Sequence, residues 1–117
     1  MKAIIVEDEF LAAAHAECAL EDLGVTVVGT AQDSAGAIAL AARGPNLALV
    51  DLNLRDGFTG PTVAQQLAGA GIGIVYVTAN PAQLQGLNHQ AAPVLEKPLS
   101  ERELLETLRA LKPDQLN

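Results

Sequence analysis

The stretch that decides the fold is Asn46-Leu-Ala-Leu-Val-Asp-Leu-Asn-Leu-Arg-Asp-Gly57. Its apolar part, Leu47–Val50, has the length and composition of a short strand that is buried on both faces of a sheet. The strand ends at the carboxylate of Asp51, and an Asp-Gly turn signal follows at Asp56-Gly57. A carboxylate at the carboxyl end of a buried strand is costly unless it is balanced, and this edge is where ligands bind in open α/β sheets. The stretch therefore predicts a functional site at the end of this strand.

Strand-like runs alternate with helix-favouring segments along the rest of the chain. Apolar or β-branched runs predict four further strands, at residues 3–6, 25–29, 73–78 and 94–95. Helices are predicted at residues 10–23, from the N-cap candidates Asp33 and Ser34 to Arg43, at 61–70, at 81–90, and from the Ser100 capping box to Pro113. This alternation predicts one α/β domain over residues 1–117, with five helices around a doubly wound, parallel five-stranded sheet. The expected strand order is 2-1-3-4-5, the flavodoxin-like arrangement.

The composition narrows the classes of function that are open to the chain. Seven basic and 14 acidic residues give a net charge of -7, and a negative surface repels phosphate backbones, so we expect no direct nucleic-acid partner. No apolar run approaches the length of a membrane span and no signal peptide is visible, so we expect a cytoplasmic protein without a membrane partner. The single Cys18 excludes an internal disulfide, and we expect it to pack as a small apolar residue.

Four of the five predicted strands end on chemically active residues, namely Glu7-Asp8, Asp51, Thr78 and Lys97. The carboxyl ends of parallel strands share one edge of the sheet, so these residues are expected to meet there. Two carboxylates at ~4 Å repel by roughly 4 kcal/mol at an intermediate dielectric, and one lysine offsets only part of that charge. A divalent cation would neutralise the remainder, and oxygen ligands favour Mg²⁺. Together these groups have the parts for phosphoryl transfer to a carboxylate.

Short motifs at the same strand ends resemble those of response-regulator receiver domains of bacterial two-component signalling. The matching motifs are Val6-Glu7-Asp8-Glu9, Val50-Asp51-Leu52-Asn53, Val77-Thr78-Ala79-Asn80 and Glu96-Lys97-Pro98. The resemblance covers the whole length and implies a single receiver domain without an output domain, a signalling module rather than an enzyme. Such a module accepts a phosphoryl group from a histidine kinase or a histidine phosphotransfer protein. It then acts on a downstream protein that the sequence does not name, and homodimer formation on activation is left open.

The resemblance also implies which residues hold a magnesium ion. Asp8 would be the main Mg²⁺ ligand, together with Asp51 and the backbone carbonyl of Asn53. Glu7 would act largely through water.

The phosphoryl group has its own implied partners. Asp51 would be the phosphoacceptor, Thr78 would bind a phosphoryl oxygen in the active state, and Lys97 would pair with the carboxylate or the phosphate. The Lys97-Pro98 bond resembles the cis bond of the family, and proline is the usual site of cis peptides.

Two positions depart from the family pattern. Val94 stands where the family usually has an aromatic residue three positions before the lysine, and Tyr76 lies on another strand. The switch signal is therefore expected to leave through Asn80 to Gln90, a segment that should be short, mobile or irregular without phosphate. Arg55 replaces a frequent proline, which indicates either a looser loop or an extra cation near the phosphate.

Other functions stay open at this stage. A pseudo-receiver that is never phosphorylated is the first alternative, and Val94 argues mildly for it. A flavin-binding redox protein of the same architecture is less favoured, because the acidic Glu7-Asp8-Glu9 loop lacks donors for a flavin phosphate. The face formed by Phe10, Leu11 and Ala14 is either ordinary core or a docking surface for a kinase or phosphotransfer helix.

Overall fold

The apolar runs form five strands of one parallel sheet in the computed structural model, which describes residues 1–87 and 92–111. The strands are β1 (Lys2–Val6), β2 (Thr26–Ala31), β3 (Leu47–Val50), β4 (Gly73–Thr78) and β5 (Val94–Glu96). Their order is β2-β1-β3-β4-β5, which confirms the predicted doubly wound topology. Strand β2 begins one residue later and ends two residues later than the sequence indicated. Strands β1 and β3 are neighbours at the centre of the sheet, where the strand order reverses.

The predicted number of α-helices was wrong. Within the described residues there are four, namely α1 (Phe10–Asp22), α2 (Ser34–Leu40), α3 (Gly60–Gly69) and α4 (Glu101–Leu111). The predicted helix at 81–90 is instead a single 3₁₀ turn, Pro81–Leu84, and residues 88–90 of that prediction lie outside the described residues. One apolar anchor, Leu84, and the left-handed Gly86 (φ 79°) favour a short turn over a longer helix.

The second helix is also shorter than predicted. Asp33 caps it by accepting a 2.8 Å hydrogen bond from the backbone nitrogen of Gly36. The helix ends at Leu40, and a 3₁₀ turn continues to Arg43 before Gly44 adopts a left-handed φ of 70°. The last helix begins at Glu101, directly after the predicted capping residue Ser100, whose hydroxyl accepts from the backbone nitrogen of Glu103 at 3.3 Å.

The sheet carries an apolar core on each face, because successive strand side chains alternate between faces. One core lies between the sheet and α2, α3 and the Pro81–Leu84 turn. The other lies between the sheet and α1 and α4. The expectation that Cys18 packs as a small apolar residue was wrong, because Cys18 is exposed on α1. Among the described residues, no helix combines the length and the apolar character that crossing a membrane requires.

Candidate metal centre and phosphoacceptor site

The ends of four strands bring the predicted site residues to one edge of the sheet. Backbone hydrogen bonds continue the sheet ladder past the strands and fix these ends in place. Asp51 donates its backbone N–H to the carbonyl of Val6 at 2.9 Å, and Lys97 donates to the carbonyl of Thr78 at 2.9 Å. The side chains that follow β1, β3, β4 and β5 are therefore held by the sheet itself rather than by flexible loops.

Three carboxylates converge at this edge. Glu7, Asp8 and Asp51 each offer an oxygen, and these oxygens all lie within 4.8 Å of one another. Glu7 and Asp51 are buried, whereas Asp8 is exposed. Grouped carboxylate oxygens with one solvent-exposed member match the ligand chemistry of Mg²⁺, which binds through one or two carboxylates and keeps several waters. The donor set therefore fits that ion.

Lys97 bridges two of the three carboxylates. Its Nζ lies 2.5 Å from Glu7 Oε1 and 3.0 Å from Asp51 Oδ2. Burial alone would lower the pKa of Lys97, but the hydrogen bonds to Glu7 and Asp51 outweigh it and raise the pKa above its usual value. The ammonium is thus charged at any physiological pH and compensates one negative charge of the site. The peptide bond from Lys97 to Pro98 is cis.

Glu7 is the group whose proton affinity is most altered. Burial raises its pKa to about 7, against a partial lowering by the hydrogen bond from Lys97, and the nearby charge of Asp51 adds to the increase. Both of its oxygens have protein partners, since Oε2 accepts from the backbone nitrogen of Glu9 at 3.2 Å.

Asp51 is held in one orientation. Its Oδ1 accepts from the backbone nitrogen of Leu52 at 2.7 Å, while Oδ2 faces Lys97. The start of α3 presses against its backbone at Gly60, where a Cβ atom would lie 2.1 Å from the Asp51 carbonyl oxygen and 2.7 Å from the Cα of Leu52. Only glycine allows this close approach, so Gly60 helps to position the carboxylate.

Thr78 is buried at the end of β4, and its hydroxyl is engaged locally. Its Oγ1 accepts a 3.0 Å hydrogen bond from the backbone nitrogen of Asn80, at the start of the Pro81–Leu84 turn. A hydroxyl that accepts one hydrogen bond still carries its own proton for another partner. Thr78 is therefore linked to the turn that follows β4.

The β3–α3 loop (residues 51–59) is tied down, contrary to both expectations for Arg55. Arg55 donates its backbone N–H to the carbonyl of Gln32 at 2.9 Å, and its guanidinium donates to the Gln32 side chain. Asp56 accepts from the hydroxyls of Ser34 at 2.7 Å and Thr59 at 2.8 Å. The loop is thus not loose, and the cation of Arg55 is committed to the β2–α2 connection rather than to the site. Sequence reasoning could not find Gln32, because its contact exists only in the folded chain.

Gln83 is a second residue near the site that no sequence pattern indicates. Asn53 Nδ2 donates to Gln83 Oε1 at 2.8 Å, and Gln83 Nε2 lies 3.4 Å from Asn53 Oδ1. This amide pair connects the β3–α3 loop to the Pro81–Leu84 turn.

An open cavity of about 440 Å³ extends from the acidic site along α1. Its lining is mainly apolar and includes Leu11, Ala12 and Leu99. Phe10 and Leu11 at the start of α1 are 78% and 77% exposed, so they do not belong to the core. The face formed by Phe10, Leu11 and Ala14 is therefore not ordinary core, since Ala14 is exposed as well.

A parallel 2-1-3-4-5 sheet with a cluster of acids, a buried threonine and a bridging lysine at its carboxyl edge defines a flavodoxin-like regulatory domain. The profile of the response regulator receiver domain matches residues 3–109, and the chain belongs to this family. This confirms the resemblance found in the sequence and removes the flavin-binding alternative. Receiver domains are signalling modules rather than enzymes, and phosphorylation and Mg²⁺ binding in an acidic pocket are typical of them.

Several solved structures of regulators are similar to this chain. SdrG from Sphingomonas melonis Fr1 is 37% identical, with a TM-score of 0.82 and 95% of both chains covered. The receiver domain of PhyR from Erythrobacter litoralis is 28% identical, with a TM-score of 0.85 over 93% of this chain and 87% of that one.

One curated relative is longer than this chain. The phyllosphere-induced regulator PhyR of Methylorubrum extorquens is 33% identical over 99 residues, which cover 81% of this chain. The matched part spans 37% of that relative's length.

Proposed function

We propose that this receiver domain accepts a phosphoryl group on Asp51 from a phosphohistidine in the presence of Mg²⁺, and that it signals through protein contacts. The observation that carries the proposal is the position of the Asp51 carboxylate, which lies 3.0 Å from Lys97 and within 4.8 Å of the oxygens of Glu7 and Asp8. A structural aspartate at a strand end does not require a second and a third carboxylate beside it, since their repulsion opposes folding.

The proposed reaction moves one phosphoryl group from nitrogen to oxygen. A carboxylate oxygen of Asp51 forms a bond to phosphorus as the bond from phosphorus to the histidine ring nitrogen breaks, and that nitrogen keeps the electron pair. Lys97 is already within hydrogen-bond distance of the Asp51 carboxylate, so its charge is available to a phosphoryl oxygen without a large movement. Thr78 would donate a hydrogen bond from its hydroxyl to another phosphoryl oxygen.

The proposed Mg²⁺ site uses the residues around the phosphoacceptor. Asp8, Asp51 and the backbone carbonyl of Asn53 would hold the ion, with Glu7 acting through water. When bound, the ion supplies positive charge that offsets the charge of the carboxylates and of the incoming phosphoryl group. The partners that Glu7 has in Lys97 and in the backbone of Glu9 support an indirect role for its carboxylate.

The proposed donor is a helix of a histidine kinase or of a histidine phosphotransfer protein, docked beside the site. Phe10 and Leu11 are exposed directly after the acidic residues that follow β1, where such a helix would bring its phosphohistidine to Asp51. Exposed aromatic and aliphatic side chains at this density favour a protein partner.

The downstream partner is proposed to be a cytoplasmic protein. The net charge of -7 disfavours direct binding to nucleic acid. PhyR from Bartonella quintana, described as an anti-anti-sigma factor, is 26% identical to this chain, which covers 50% of it. A regulator that acts on another protein is consistent with that relative, and homodimer formation on activation is compatible with the same proposal.

Incubation with a small phosphodonor and Mg²⁺, followed by intact-mass measurement, tests the proposal. We expect the mass of one phosphoryl group to be added to the wild type and to Asp22→Asn, which removes an exposed aspartate at the end of α1. The added mass should be absent in Asp51→Asn and when Mg²⁺ is chelated. An unmodified wild type would favour the pseudo-receiver, and a modified Asp51→Asn would place the acceptor elsewhere.

A further inference from the structure

The side-chain amides of Asn53 and Gln83 face each other across two loops that border the site. The shorter of their two hydrogen bonds, from Asn53 Nδ2 to Gln83 Oε1, is 2.8 Å, and the reciprocal contact is 3.4 Å. Asn53 lies two residues after the phosphoacceptor, and Gln83 lies five residues after Thr78. The pair therefore joins the β3–α3 loop, which begins at Asp51, to the turn that follows Thr78.

Asn53 is exposed in the β3–α3 loop, between two residues that are buried. Leu52 and Leu54 on either side are buried in the core, and the backbone of Leu54 is hydrogen-bonded to that of Gly57 in both directions at 2.8 and 3.0 Å. The next part of the loop is attached to the β2–α2 connection, because Arg55 donates hydrogen bonds to Gln32. Among the described residues, the amide pair provides the side-chain hydrogen bonds between this loop and the turn after β4.

The Pro81–Leu84 turn is attached to the rest of the molecule by hydrogen bonds and by core packing. The Thr78 hydroxyl accepts from Asn80 at its start, Gln83 pairs with Asn53, and Leu84 is buried in the core that also contains Tyr76. One of these attachments leads to Thr78 at the end of β4, and another leads to Asn53, two residues after Asp51. A change at the site can therefore alter the attachment of the turn without any movement of the sheet.

We propose that Gln83 is a positioning residue that acts through Asn53. Its amide pair restrains the segment of the β3–α3 loop that supplies the Asn53 carbonyl, and it thereby couples Mg²⁺ binding to the order of the Pro81–Leu84 turn. The inference rests on the proposed Mg²⁺ site. Coupling of this kind is reciprocal, so a restraint that favours Mg²⁺ binding is itself strengthened when Mg²⁺ is bound.

A double-mutant cycle on Mg²⁺ affinity tests the inference. We expect Gln83→Ala and Asn53→Ala each to weaken Mg²⁺ binding about threefold in calorimetric titrations, the effect that one hydrogen bond of modest net strength can supply. Asn53→Ala keeps the backbone carbonyl, so its effect reports the side-chain pair alone. The double variant should be no weaker than either single variant, because both substitutions remove the same interaction. Gln85→Ala is the matched control, an exposed glutamine at the end of the same turn, and should bind like the wild type.

The order of the turn gives a readout that does not depend on the titration. Tyr76 is the only tyrosine, the chain has no tryptophan, and its ring shares a core with Leu84. We expect Mg²⁺ to reduce both the quenching of Tyr76 emission by acrylamide and the amide exchange of residues 81–87 in the wild type and in Gln85→Ala. Neither change should occur in Gln83→Ala.

The possible failures are distinguishable. If the wild type binds no Mg²⁺, the proposed metal site fails, and the inference falls with it. If the wild type and Gln85→Ala bind Mg²⁺ but the effects of Gln83→Ala and Asn53→Ala add, or Gln83→Ala binds like Gln85→Ala, the inference is overturned while the proposed function stands. An identical response of residues 81–87 to Mg²⁺ in Gln83→Ala and in the wild type would also overturn it.

Discussion

Tyr76 on β4 lies directly opposite Val94 on β5 in the register of the sheet, so both side chains point to the same face. The sequence resemblance places the usual aromatic residue of the family at the position of Val94. Here the aromatic ring is on the neighbouring strand, where Tyr76 is 2% exposed and its burial raises the pKa of its hydroxyl. The ring is enclosed in the core beside Leu84, which makes it a structural residue rather than a side chain that turns between solvent and interior.

A structural role for Tyr76 predicts a large loss of stability when its side chain is removed. We expect Tyr76→Ala to lower the free energy of unfolding by about 3–5 kcal/mol, as for other buried aromatic residues truncated to alanine. Phe58→Ala is the control, because Phe58 is exposed in the β3–α3 loop and should cost much less. Urea unfolding of both variants measures the difference, and similar losses would show that Tyr76 is not part of the core.

The two acids after β1 are predicted to differ in their contribution to Mg²⁺ affinity. Asp8 is the exposed member of the group of three acids, whereas Glu7 accepts hydrogen bonds from Lys97 and from the backbone of Glu9. Removing the charge of a direct ligand should weaken binding more than removing that of a group which acts through water. We therefore expect Asp8→Asn to lower the Mg²⁺ affinity much more than Glu7→Gln in calorimetric titrations.

The adjacent Glu9 provides the control for that comparison. Glu9→Gln changes the net charge by the same amount, but Glu9 does not belong to the group of three acids. The change in Mg²⁺ affinity caused by Glu9→Gln therefore measures the long-range electrostatic contribution of one negative charge. Equal losses for Asp8→Asn and Glu7→Gln would mean that both acids coordinate the ion directly, or that neither does.

The raised pKa of Glu7 predicts how stability depends on pH when no metal is bound. The folded protein holds the Glu7 proton up to about pH 7, whereas the unfolded chain releases it near 4.5. Between these values the folded state binds more protons than the unfolded state, so this group's contribution to stability is complete below 4.5 and is lost as the pH rises to about 7. Asp56, whose pKa is lowered first by the Ser34 hydroxyl and then by that of Thr59, titrates below this window.

Urea unfolding in the presence of a chelator, from pH 4.5 to pH 8, measures the effect. Subtracting the curve of Glu7→Gln from that of the wild type isolates the contribution of Glu7, because the other acids are common to both proteins. We expect the difference to fall by no more than the slope of one proton, about 1.4 kcal/mol per pH unit. A difference that does not change with pH would contradict the raised pKa.

Most of the fold and the position of the site could be predicted because they depend on patterns that are local in sequence. Each buried strand is a short apolar run, and the geometry of a parallel sheet then requires Asp8, Asp51, Thr78 and Lys97 to share one edge. No tertiary information is needed for that step.

What could not be predicted depends on contacts between segments that are far apart in sequence. The sequence alone allows the guanidinium of Arg55 to point toward the site. In the folded chain the guanidinium donates to the side chain of Gln32 instead. The segment after β4 has enough helix-favouring residues to read as a helix, yet its single buried anchor, Leu84, supports one 3₁₀ turn. Intrinsic preference is weak over such short lengths, and packing determines the result.

The turn after β4 is predicted to be the element that changes on activation. Its first attachment is the 3.0 Å hydrogen bond from the backbone nitrogen of Asn80 to Thr78 Oγ1, and residues 85–87 are exposed. If Thr78 donates its hydroxyl to a phosphoryl oxygen, the oxygen that accepts from Asn80 is held in place, and we expect the turn to become more ordered. We expect residues 80–87 to be weakly protected from amide exchange without phosphate, and to gain about fivefold in protection when a phosphate mimic and Mg²⁺ are added, as one hydrogen bond of ~1 kcal/mol allows. Helix α4, which packs through the buried Leu104 and Leu108, provides the reference for a stable element. Thr78→Val removes the hydroxyl at nearly constant shape and should abolish the part of the response that exceeds the response to Mg²⁺ alone. Protection of residues 80–87 equal to that of α4 before activation, or unchanged by the mimic, would show that the switch lies in another element.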